Sequence, residues 1–128
     1  MPRDFRGLTA WKKADDLVIE VYRITSDYFP REELYGLTSQ IRRSAVSVAA
    51  NLAEGCGRQT ELDFRRFLFI ARGSLAELEY YLHLSSRLAF FPPPTYLEVD
   101  QKRDQVGKLL LGLIRAVSKQ ITARDSVQ

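Results

Sequence analysis

The sequence predicts an all-α protein, an antiparallel up-and-down four-helix bundle. Three observations lead there. Apolar residues recur at spacings of three and four and almost never alternate, which is the period of a helix and not of a strand. Strong breaks at Phe29-Pro30, at Gly55–Thr60 and at Phe91-Pro92-Pro93-Pro94 divide the chain into four such stretches. With 128 residues, 45% apolar and 27% charged, the chain has the size and composition of one folded domain with its own core. Short connections make successive helices antiparallel. The domain is taken as residues 1–128, with frayed ends at about 1–6 and 122–128.

The first helix is predicted from the stripe Trp11, Ala14, Val18, Val21, Tyr22 and Thr25. It ends at Phe29-Pro30, because proline cannot donate the next backbone bond and drives its predecessor out of the α region. The second carries Leu37, Ile41, Ala45, Val48 and Leu52 and stops at Gly55, suited to a left-handed C′ position. Thr60 is the N-cap of the third, with Asp63 in the place of a capping-box acid. That helix runs from about Glu61 to Ala89 with the stripe Phe64, Phe67, Leu68, Ala71, Leu75, Leu78 and Leu82. After the prolines, Thr95 caps a fourth helix bearing Val106, Leu109, Leu110, Leu113, Ile114, Val117 and Ile121.

Two helices have apolar surface to spare. The third has a second stripe beside its first, Ile70, Gly73, Ser74, Glu77, Tyr81, Leu84 and Leu88, and the fourth places Leu111 between Lys108 and Arg115. Faces wider than about 100° usually meet more than one partner, so the pattern favours a homo-oligomer.

A polar stripe borders the core on the second helix: Gln40, Ser44, Ser47, Asn51 and Glu54. Ser74 and Glu77 hold a comparable place on the third. One reading is a structural seam in which small polar residues satisfy one another between close helices. The other is a groove lined by Glu54, Glu77 and Arg43, with the carboxylates as an acid–base pair. The corner Gly55-Cys56-Gly57-Arg58 before a helix N-terminus suits an anion, but it lacks the spacing of a phosphate loop and a preceding strand.

Basic and acidic residues number 19 and 16, for a net charge of +3. Segments 1–29 and 59–91 are neutral, and the excess comes from 30–58 and 92–128. Arg42, Arg43, Arg58, Arg65, Arg66 and Arg72 cluster around the second and third helices, while Lys108, Arg115 and Lys119 share one face of the fourth. A solvated face and a nucleic-acid footprint both fit this pattern. Catalytic and metal constellations are missing: His83 and Cys56 stand in separate elements without a supporting ligand set, so no metal, cofactor or catalytic residue is expected. No apolar run approaches the roughly 20 residues of a membrane span and no secretory signal is visible, so the reading is cytoplasmic with no membrane partner.

The run Gln40-Ile41-Arg42-Arg43-Ser44, Ser47, Asn51-Leu52-Ala53-Glu54-Gly55 and Arg58 resembles the proteins encoded in large-subunit (23S) rRNA intervening sequences. Phe5, Leu8, Trp11, Phe29-Pro30, Tyr35-Gly36-Leu37-Thr38, Phe64, Phe67 and Gly73-Ser74-Leu75 extend the resemblance over roughly residues 5–118. The resemblance implies a four-helix bundle, a ring-like homopentamer and no established activity. A more distant similarity, to the accessory protein of diversity-generating retroelements, implies nucleic-acid contact through a basic surface. The leading expectation is a non-enzymatic oligomeric module that binds structured RNA through Arg42, Arg43, Arg58, Arg65, Arg66, Lys108, Arg115 and Lys119. The alternative is a protein-interaction scaffold whose arginines serve salt bridges and interfaces.

Overall fold

The computed structural model describes residues 2–127, with side chains to Asp125. Four helices follow one another: α1 (Thr9–Tyr28), α2 (Leu37–Cys56), α3 (Glu61–Arg87) and α4 (Pro93–Val127). Single 3-10 turns at Phe5–Gly7 and Arg31–Glu33 precede α1 and α2. There is no strand among the described residues. Helix α1 packs on α2 and α4, and α3 packs on the same two, so the four form a square around one core. The α2–α3 contact is the most extensive.

All seven residues of the α3 stripe are buried. On α2, Ile41, Ala45, Val48 and Leu52 are buried and Leu37 is half-buried. On α4, Val106, Leu110, Ile114 and Val117 are buried, with Leu109, Leu113 and Ile121 packed against them. The α1 stripe differs from expectation. Its inward face is Ala10, Ala14, Leu17, Val21, Ile24 and Thr25, while Trp11 and Val18 are half-buried and Tyr22 is exposed. The apolar residues of α1 spread over a wider arc than its neighbours cover, so docking against α2 and α4 together selects which of them turn inward. Glu20 is buried with it, paired to Arg23 and, at 3.2 Å, to Lys102 of α4.

The helix ends correct two further expectations. Gly55 is not a left-handed terminator: α2 continues to Cys56, and Gly57 closes it at an ordinary φ of −81°. Gly55 is required instead by close approach, since a Cβ there would lie 2.8 Å from Phe67 Cβ and 3.1 Å from Phe64 Cδ1. Thr95 does not cap α4, which already begins at Pro93. Proline suits a first helical turn, where its missing N–H has no partner to lose, and the Pro92 carbonyl accepts from the Thr95 and Tyr96 amides. Thr60 does cap α3, its hydroxyl accepting from the Asp63 amide at 3.1 Å. Where α3 ends, Ala89 takes a left-handed φ of 57°, and the Ala89 and Phe90 amides donate to Ser86 and Ser85 in a Schellman pattern.

Aromatic rings close one end of the bundle. Phe29, from the α1–α2 connection, meets Phe90 and Phe91 edge-on at 5.4 and 5.8 Å. At the other end Arg3 ties the N-terminal segment down: its amide donates to the Cys56 carbonyl, its guanidinium binds Glu61 at 2.8 Å, and it lies over the Phe64 ring. No described helix is long and apolar enough to cross a membrane.

Candidate nucleic-acid interface

The antiparallel register of α3 and α4 positions the site. As α3 advances from Arg65 to Leu75 to Glu79, its α4 neighbours retreat from Ser118 to Gly107 to Arg103. Arg65 Nη1 donates to Ser118 Oγ at 3.2 Å, a Cβ on Gly107 would touch Leu75, and Arg103 pairs with Glu79 at 3.6 Å. Arg72 therefore falls opposite Leu111, between Lys108 and Arg115, and the two residues share the wall of one cleft.

Along this pair acidic residues are missing. Segment 64–76 of α3 has Arg65, Arg66 and Arg72 and no Asp or Glu, and segment 105–124 of α4 has Lys108, Arg115, Lys119 and Arg124 and no Asp or Glu. Among the described residues, Arg65, Arg72, Arg115 and Lys119 form no ion pair, and Lys108 pairs only with Asp104 one turn away. Gly112 stands in the Lys108–Arg115–Lys119 stripe, where a Cβ would meet nothing within 4 Å. An exposed glycine in a helix costs about 1 kcal/mol against alanine, and no packing need explains it here. At Gly112 the backbone itself is open to close approach by a ligand.

The other predicted cations are engaged with the protein. Arg42 donates to Thr25 Oγ1 at 2.9 Å and to Ser26 Oγ, and stacks on Tyr22. Arg43 donates to Gln40 and lies 4.0 Å from Glu77. Arg58 binds Glu54 at 2.8 Å, approaches Asp63 and stacks on Phe67, which it shares with Arg66. Arg66 also bonds to Asp63 at 3.1 Å. Arg103, largely buried, is surrounded by Asp100, Glu79 and Asp104.

One hydrogen bond of the polar stripe joins α2 to α3, and those of Asn51 and Ser44 stay within α2. Ser47 Oγ and Ser74 Oγ are 2.7 Å apart, and the Asn51 amide donates to the Ser47 carbonyl and hydroxyl. Ser44 is buried and returns its hydroxyl to the Ile41 carbonyl. Gln40, Glu54 and Glu77 are exposed. The Ser47–Ser74 contact sets the register, which places Glu77 near Arg43 and Glu54 about 15 Å farther along α2. The two carboxylates do not converge. Burial pushes the Cys56 thiol up, and among the described residues no three His, Cys, Asp or Glu side chains gather as a metal set.

The sequence pattern places Lys108, Arg115 and Lys119 on one helix face and Arg72 in the basic cluster, but it does not put Arg72 among the expected contacts and does not single out Gly112. The readable signal was negative: two stretches without carboxylates, which gain meaning only when packed side by side.

Comparison with known proteins agrees with this architecture. A family model described as 23S rRNA-intervening sequence protein matches residues 6–112. A solved structure from Bacteroides thetaiotaomicron VPI-5482, a protein with unknown function from the S23 ribosomal protein family, superposes with a TM-score of 0.74 at 25% identity. The alignment covers 83% of this chain and 98% of that one. No curated protein matches. The helices, their register and the matched span together identify the chain as a member of the 23S rRNA-intervening sequence protein family.

Proposed function

We propose that this chain is a non-enzymatic helical-bundle module that binds structured RNA through phosphate contacts on the α3–α4 face, and that it acts as a homo-oligomer in the cytoplasm. The observation that carries the reading is the pairing of two acid-free segments, with Arg65, Arg72, Lys108, Arg115 and Lys119 on one surface. A phosphate chain gains from such a surface because each contact releases condensed counterions. The family's description, which speaks of 23S rRNA, makes RNA the polyanion to test first. Assembly strengthens the field: a subunit of +3 contributes to about +15 in a ring of five.

The test measures the mass of the native particle alone and with a 23S rRNA fragment, then the affinity across salt. Five phosphate contacts give a slope of log affinity against log salt of about −4, a loss of roughly 250-fold between 50 and 200 mM. The double variant R115E/K119E should flatten that slope. Undetectable binding at low salt, or binding indifferent to salt, refutes the reading.

A protein-interaction scaffold is the second reading. It is favoured by Leu34, Tyr35, Leu88 and Leu97, exposed apolar side chains at the end of the bundle that carries the α1–α2 and α3–α4 connections. It predicts a protein partner that survives nuclease treatment.

A further inference from the structure

Beside the cationic face lies an aromatic side chain that the fold does not use. Phe69 belongs to the acid-free part of α3 and is 48% exposed, although Phe64 and Phe67 on the same helix are buried. Arg65 precedes it by one turn and Arg72 follows by one turn, so the ring sits between two cations about 10 Å apart along the axis. A shallow cleft of about 430 Å³ opens here, walled by Leu62, Arg65, Arg66 and Phe69. Asp63 also borders it, but its carboxylate is already held by Arg66 at 3.1 Å and Arg58 at 3.7 Å.

Gly73, one turn on from Phe69, adds no side chain to this surface. Helical side chains lean toward the N-terminus, so the residue four positions on is the one that would lie over Phe69. That residue is glycine, and a Cβ there would meet nothing within 4 Å. The helix thus carries a weak former in an exposed turn with no steric need for it, one turn from a half-exposed aromatic ring.

We propose that Phe69 is a stacking platform for an unpaired nucleobase, with Arg65 and Arg72 receiving the adjoining phosphates. The inference rests on the α3–α4 phosphate reading and narrows its ligand to RNA with splayed or looped bases. A paired base hides its face inside a duplex, whereas an unpaired one exposes it to an aromatic ring flanked by cations. Leu62 supplies the apolar side of the cleft, and no free carboxylate opposes the phosphates.

The experiment titrates the full chain with a labelled hairpin bearing unpaired loop bases and with a fully paired duplex of equal phosphate number. F69A should weaken hairpin binding about 5- to 100-fold and leave duplex affinity and the salt slope unchanged. F69W should retain hairpin affinity, and G73L, which covers the ring, should lower it as F69A does. Equal losses on both RNAs, no loss on either, or a fall in particle mass with F69A overturns the proposal; the last would show the ring packed against a second copy. Separately, R115E/K119E should weaken both RNAs. If it weakens neither, the phosphate reading itself fails, whatever F69A does.

Discussion

Gly55→Ala tests the packing of the α2–α3 corner, where the sequence pattern and the structure assign different reasons for glycine. Two effects oppose each other. Alanine is the better helix former by about 1 kcal/mol, which favours the variant because α2 is helical through this position. Against that, the added Cβ lies 2.8 Å from Phe67 Cβ and 3.1 Å from Phe64 Cδ1. The first of these atoms sits next to the backbone, so no rotamer change relieves it, and α3 must shift. The shift is resisted on two sides: Thr60 caps the start of α3, and Arg3 binds Glu61, Phe64 and the Cys56 carbonyl at once. Overpacking of a filled core costs about 1–3 kcal/mol, and a constrained site belongs at the upper end. The net expectation is a loss of about 2 kcal/mol, or a Tm lower by about 8 °C for a chain of this length. Thermal and urea unfolding followed by circular dichroism measure it. Gly73→Ala is the internal control, because a Cβ there meets nothing and should raise stability by about 1 kcal/mol. A Gly55→Ala protein as stable as the parent, or more so, refutes the close-approach argument.

Other outcomes follow from the helix ends and the N-terminal tie. Ala89 sits at a φ of 57°, where a Cβ is strained by about 1–2 kcal/mol, so A89G should stabilise by about 1 kcal/mol after the extra unfolded-state entropy of glycine. A Tm unchanged or lower in A89G would contradict the Schellman assignment. The hydrogen bond from Arg3 holds the Glu61 carboxyl below its ordinary range. A lowered carboxyl pKa means that the folded form binds the proton less readily, so the stabilisation is complete above the ordinary carboxylate range and fades as pH falls through the lowered value. Urea titrations from neutral to acid pH should show E61Q less stable than the parent near neutrality, with the difference closing toward acid. Parallel curves at all pH values would remove the role assigned to the pair.

Much of the fold was legible in spacing alone. The α3 stripe was readable because its six large apolar residues and Ala71 lie on one side and Thr60 marks where the period begins. The α1 stripe was not, since Trp11, Val18, Ile19 and Tyr22 compete with Leu17 and Ile24 for the inward face. Only the positions of α2 and α4 settle that competition, and they also bury Glu20 against Lys102. Of the cations that the sequence offered, Arg42, Arg43, Arg58 and Arg66 proved engaged with neighbours, which depends on partners brought in from other turns and other helices.

By itself the sequence determined the helical class, the number of helices and most of the core, because a period near 3.6 and proline breaks act over a few residues. The tertiary structure decided what local patterns cannot carry. It turned Gly55 from a terminator into a contact point between α2 and α3. It also laid two acid-free segments, far apart in the chain, against each other in antiparallel register. Charge density on a surface belongs to neighbouring helices together, and a near-neutral total of 19 against 16 does not reveal it.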